Sequence, residues 1–156
     1  HIPFFYPLDA VYGWNKIYGS RGFLQFQCVV PSEHNQRAIR EILGTIVQSG
    51  SASFLAVLKE FGEVKSPGIM SFPRAGTTLC LDFAYQGEKT LALFRILDAM
   101  VRKCGGALYP AKDAIMAPES FRQYFPLWRM FSEMRDPAFS SNFWRRVTGG
   151  TGAASE

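Results

Sequence analysis

Phe23-Leu24-Gln25-Phe26-Gln27-Cys28-Val29-Val30, bounded by Gly22 and Pro31, is the stretch on which the reading of the fold turns. Successive side chains on a strand point to opposite faces. Leu24, Phe26, Cys28 and Val30 then form a wholly apolar face that has to meet a core. Phe23, Gln25, Gln27 and Val29 form the other, with two glutamines at its middle. A strand so divided belongs to a sheet that is covered on one side and offers something polar on the other.

Working outward, Ser32 is placed to cap a helix beginning after Pro31. Ala38, Ile39, Ile42, Leu43, Ile46 and Val47 recur at i, i+3, i+4 and i+7, and Gly50 ends the run. Ser53 to Gly62 reads as a second strand, and Thr77 to Phe83 as a third, after a loop holding Pro67, Gly68, Pro73 and Gly76. A second helix is expected over residues 88–104, with Leu91, Phe94, Leu97, Met100, Val101 and Cys104 inward. Gly105-Gly106 closes it before a short fourth strand, Ala107-Leu108-Tyr109.

The order β-α-β-β-α-β predicts an α+β, ferredoxin-like domain: an antiparallel sheet with both helices on one face, plus a C-terminal helical extension. The expected division is an irregular lead-in over 1–21, with one short helix near 8–17, the ferredoxin-like domain over 22–116, a helical extension over 117–147 and a disordered tail over 148–156. In the extension, Phe121, Tyr124, Phe125, Trp128 and Phe131 follow helical spacing after Pro118-Glu119.

The totals remove several classes of function. Hydrophobic content of 47% against 19% charged residues in 156 residues describes one folded domain. The net charge of +4 comes from scattered basic residues rather than one basic face, which argues against nucleic acid and leaves room for an anionic substrate. Cys28, Cys80 and Cys104 lack metal-ligand spacing, and the only histidines are His1 and His34, so neither a zinc site nor a histidine-based hydrolase is expected. Two of these cysteines lie in apolar runs and read as reduced, buried thiols. The expected compartment is therefore the cytoplasm, with association to a membrane surface left open. No apolar run reaches membrane-spanning length, and no phosphate-cradling glycine loop occurs. The chain opens at His1 without a methionine, which reads as a fragment.

The polar residues on the uncovered strand face carry the functional reading. Gln25 and Gln27 share it on the first strand, Lys59 and Phe61 on the second, Thr78, Cys80 and Asp82 on the third, with Tyr109 and Lys112 following the fourth. If the strands pair as the topology requires, these groups line one surface suited to a hydroxyl-rich ligand. The plain alternative is a solvent-facing sheet that is polar by alternation. On it, Lys59 beside Glu60 and Lys112 beside Asp113 are ordinary surface lysines, Cys80 is packing, and Asp82 discourages edge pairing.

Four runs go further: FFYPLDAVYGWNKIYGSRGFLQFQCVVP (4–31), SGSASFLAVLKEFG (49–62), SFPRAGTTLCLDF (71–83) and GGALYPAKD (105–113). In order and spacing, over about residues 2–135, they resemble the C-terminal half of FAD-linked oxidoreductases of the vanillyl-alcohol oxidase superfamily, in particular a bacterial branch acting on polyprenyl-phosphate sugars. The resemblance implies a cap domain that binds the substrate, a sugar, polyol or related alcohol, over FAD held mainly by an N-terminal domain of the same parent chain. Hydride would pass from a carbinol carbon to the flavin N5. It implies that Lys112 and Tyr109 are the catalytic pair, Lys112 acting electrostatically and Tyr109 orienting it. Tyr109, Ala111 and Lys112 would border the cofactor, and Gln25, Gln27, Lys59, Phe61, Cys80, Asp82 and Tyr6 would line the pocket. The family has tryptophan where this chain has Thr77, followed by asparagine or a similar residue where it has Thr78. A smaller, less aromatic wall is expected from that change. Without the resemblance, the same residues fit a non-enzymatic ferredoxin-like module that binds a small ligand or a protein.

Overall fold

The computed structural model describes Phe4, residues 12–51 and residues 53–149. Four strands, β1 (Phe23–Pro31), β2 (Ala56–Phe61), β3 (Gly76–Ala84) and β4 (Ala107–Leu108), form one sheet in the order β2-β3-β1-β4. Every neighbouring pair is antiparallel. Helices α1 (Asn35–Gln48) and α2 (Glu88–Lys103) fall between β1 and β2 and between β3 and β4. This is the α+β, ferredoxin-like order expected from the alternation of periods.

The apolar face of β1 behaves as its pattern demands. Phe26, Cys28 and Val30 are buried with Leu79, Leu81 and Phe83 of β3, Ile39, Ile42 and Ile46 of α1, and Leu93, Phe94, Leu97 and Val101 of α2. Removing each such side chain from water contributes about 1.5–3 kcal/mol. Phe94 anchors the layer, its ring tilted on Phe26 at 5.4 Å and edge-on to Phe83 at the same distance. Gly76 allows β1 and β3 to close at their end: its φ is 142°, and a side-chain carbon there would strike the Val30 carbonyl.

Some boundaries differ from expectation. Ser32 does not cap α1. A turn closed by His34 N–H on the Pro31 carbonyl (3.0 Å) takes up Ser32 and Glu33, and His34 becomes the residue before the helix. Strand β2 is shorter than expected, beginning at Ala56. The inward face of α2 is rotated slightly: Thr90 and Asp98 are buried, whereas Leu91, Met100 and Cys104 are only half-buried.

The extension is three short helices, α3 (Pro118–Tyr124), α4 (Trp128–Met134) and α5 (Asn142–Thr148). Pro126 and Pro137 fall at the breaks, where proline lacks the N–H a continuous helix would use. It does not stand apart from the sheet: Phe121, Tyr124, Phe125 and Val147 belong to the same buried cluster as β1 and α2. In the lead-in, a 3-10 turn covers Trp14–Tyr18. Of the disordered tail expected over 148–156, Thr148 instead closes α5 and Gly149 follows it in a left-handed turn; residues 150–156, like the expected helix start near residue 8, lie outside the described residues.

Candidate functional site

Strand register decides which polar residues meet. Gln25 is opposite Asp82, Gln27 opposite Cys80 and Val29 opposite Thr78. Across β3, Cys80 is opposite Val57, Thr78 opposite Lys59 and Gly76 opposite Phe61. Residues opposite one another share a face, so all of these sit on the side away from α1 and α2. The Tyr109 N–H donates to the Gln27 carbonyl at 2.9 Å, which brings Tyr109 onto the same face at the β4 edge.

This face is not an exposed polar surface. Asp82 and Thr78 are each 1% exposed and Cys80 6%. Asp82 also lies on a central strand, so a role in discouraging edge pairing is ruled out. Two coverings explain the burial. At one end, Tyr18 from the lead-in stacks on Phe23 (4.5 Å between centroids), meets Phe54 edge-on, and donates its hydroxyl to Asp82 Oδ2 at 3.1 Å. At the other, Phe72 from the β2–β3 loop is buried between Phe61 (6.1 Å) and Tyr109 (4.8 Å). The result is a trough across the strands with an aromatic closure at each end.

The polar groups within it are tied to one another. Gln25 Nε2 donates to Asp82 Oδ1 at 2.9 Å, and Gln27 Nε2 to Thr78 Oγ1 at 3.2 Å. The Thr78 hydroxyl in turn donates to the Cys28 carbonyl at 2.8 Å. Lys112, on the 3-10 turn Pro110–Lys112, reaches back over β1 and donates from Nζ to Cys80 Sγ at 3.0 Å. Its neighbour Asp113 is occupied elsewhere, by the Arg146 guanidinium and by the N–H groups of Ile115 (3.0 Å) and Met116. Lys112 is thus no ordinary surface lysine paired with Asp113. What directs its ammonium is the Cys80 sulfur, whereas the Tyr109 ring lies against Phe72; the expected orientation of Lys112 by Tyr109 is replaced by one through sulfur.

Two titrating groups report on this environment. Burial and then the Asp82 charge raise the Tyr18 phenol, which keeps it a donor to Asp82. Behind the sheet, burial pushes the Cys28 thiol up to about 12. Cys28 is fully buried on the helix side, so it is packing rather than chemistry.

Of the residues singled out from the sequence, Gln25, Gln27, Cys80, Asp82, Tyr109, Lys112 and Phe61 come together, and Lys59 stands exposed on the same face at the β2 edge. Ala111 is exposed on the turn before Lys112. Tyr6 lies outside the described residues. Thr77 corrects an expectation: it pairs with Val30 and Glu60 on the helix side and donates to Glu60 Oε2 at 2.7 Å. A tryptophan-to-threonine change there does not thin the trough wall. Only Thr78 faces the trough.

Tyr18 and Phe72 were not anticipated. Each sits in a stretch broken by glycine or proline, where no periodicity points a side chain anywhere. A groove of about 770 Å3 between the start of α1 and the end of α2 lies on the opposite side of the sheet and holds none of these groups.

Over 149 residues, 92% of its length, the chain is 38% identical to decaprenylphosphoryl-beta-D-ribose oxidase of Mycolicibacterium smegmatis. Over 145 residues it is 30% identical to a Streptomyces coelicolor protein described as "Uncharacterized protein in mprA 5'region". These matches take in 32% and 39% of the two relatives, so the chain spans about a third of their length. No protein-family model matches it. No helix among the described residues is long and apolar enough to cross a membrane.

Proposed function

We propose that this chain is the substrate-binding cap of an FAD-dependent oxidoreductase that oxidises an alcohol carbon of a sugar, polyol or related substrate. The observation that carries the reading is the 38% identity to an oxidase over 92% of the chain, supported by a fold in which most of the expected site residues share one sheet face. On this reading an N-terminal domain of the same parent chain holds most of the FAD, residues 22–116 form the cap, and residues 117–147 are a buttress behind it.

The residues suit a flavin at the β4 rim. An ammonium and a phenol stand at the same edge, with Ala111 exposed on the turn between them. When bound, FAD supplies the hydride acceptor. Lys112 would then stabilise the negative charge that grows on the substrate oxygen as its proton passes to solvent. The Cys80 sulfur holds that ammonium in place, and the buried walls strengthen its field. Gln25 and Gln27 hold the remaining hydroxyls, while Phe72 and Tyr18 exclude water from the two ends.

Purification of the intact parent protein and an anaerobic challenge with sugars, polyols and lactones tests the proposal. A bound flavin whose visible absorbance bleaches with at least one of them is expected. A protein that carries no flavin, or whose flavin none of them reduces, would overturn it.

A further inference from the structure

A glutamine amide has a donor end and an acceptor end of nearly equal size, so the partner holding one end determines which end a ligand meets. Gln25 and Gln27 are two residues apart on one face of β1, and each sends its nitrogen to β3. Gln25 Nε2 is received by Asp82, and a carboxylate can only accept. The second Asp82 oxygen already receives the Tyr18 hydroxyl. Gln27 Nε2 is received by the Thr78 hydroxyl, whose single hydrogen is committed to the Cys28 carbonyl. Toward Gln27, that oxygen too can only accept. Reversing either amide would set oxygen against oxygen.

The acceptor ends are therefore left for something else. Among the described residues no hydrogen bond reaches Oε1 of Gln25 or Gln27. Among the described residues, the buried side-chain nitrogen and oxygen atoms without a partner are Arg102 Nε and Arg135 Nε, and neither glutamine carbonyl is among them.

We propose that Asp82 and Thr78 are positioning residues that lock the two glutamine carbonyls outward, so that the trough selects a ligand presenting two hydroxyl donors roughly 7 Å apart. The Lys112 ammonium beside them serves a third oxygen as an acceptor. A neutral polyhydroxyl compound satisfies all three groups. An ether, ester or carboxylate at the glutamine positions meets oxygen with oxygen and is rejected. The inference deepens the proposed function and rests on it for the identity of the ligand face.

Its test needs no flavin. In the 13C,15N-labelled protein, the side-chain signals of Gln25 and Gln27 are followed during titration with xylitol, and separately with its fully O-methylated ether, which keeps every oxygen but no donor. Xylitol is expected to shift both side-chain carbonyl carbons and the ether to leave them in place. A coupling through the hydrogen bond should link Gln25 Nε2 to the Asp82 carboxylate carbon throughout. Thr78→Val should weaken xylitol by about fivefold and erase the preference over the ether at Gln27, and Thr78→Ser should restore both. Asp82→Asn, whose own amide can turn, should do the same at Gln25. Equal shifts by the ether, no shift by either compound, or folded variants that behave as the wild type would overturn the proposal. If circular dichroism finds the variants unfolded, the wild-type coupling and the two titrations decide alone. Flavin that no alcohol reduces in the intact protein, with these amide responses present, would sink the oxidoreductase reading and leave this one standing.

Discussion

Gln25 lies between Leu24 and Phe26, an amide between two apolar groups, and strand alternation alone was enough to turn it away from the core. The identity of its partner was not legible, because Asp82 is 57 residues away and only register brings it opposite. Gln25→Ala is expected to weaken substrate binding about tenfold and to cost no more than ~1 kcal/mol of stability, since Asp82 keeps the Tyr18 hydroxyl. Substrate titration and thermal unfolding of the same variant read both quantities, and a chain that unfolds instead would make Gln25 structural. Cys28 gives the contrary case, a thiol with no role beyond packing. Its folded-state value is raised to about 12 from an ordinary 9.0, so the folded chain favours the protonated form. That contribution is fully present below about pH 9 and is lost as pH rises toward 12. Wild-type stability should therefore fall more steeply over this range than that of Cys28→Ala, measured by denaturant unfolding at several alkaline pH values. Parallel slopes would contradict the assignment.

At the level of elements, β1, β3 and both long helices could be read because each carries a clean period over nine residues or more. The extension could not, because aromatic spacing at Phe121, Tyr124, Phe125, Trp128 and Phe131 continues across Pro126 as though one helix ran through it. Its attachment was equally hidden. Asp98, on the inward face of α2, is 6% exposed and receives Ser120 Oγ at 2.5 Å and Tyr124 OH at 2.7 Å. Burial, with the Asp98 charge adding to it, pushes the Tyr124 phenol far up, so it stays a donor. A polar residue at an otherwise apolar helical position was the available signal. Asp98→Ala leaves the buried Ser120 hydroxyl without its acceptor and Tyr124 with only the residue-98 backbone carbonyl at 3.1 Å, and should destabilise the chain by about 1–3 kcal/mol. Amide hydrogen exchange should rise first in α3. A variant with wild-type stability would show that the aromatic contacts of Phe121 with Phe143 and Trp144 hold α3 by themselves.

Over the whole molecule, the two faces of one sheet divide the work. The helix side supplies the buried apolar core. The other side gathers amides, a carboxylate, a thiol and an ammonium between two aromatic closures. The fold class and the membership of that face followed from period and topology, while the closures by Tyr18 and Phe72 came from irregular segments that carry no period. On the proposed function, the Lys112 ammonium on this face acts on the substrate oxygen during flavin reduction. The most direct measurement is stopped-flow flavin reduction in the intact parent protein, wild type against Lys112→Ala, under anaerobic conditions with a reducing sugar or polyol. The variant is expected to retain its flavin and to be reduced at least about tenfold more slowly, the scale of one lost charge interaction. Equal reduction rates in a variant that binds flavin normally would contradict it.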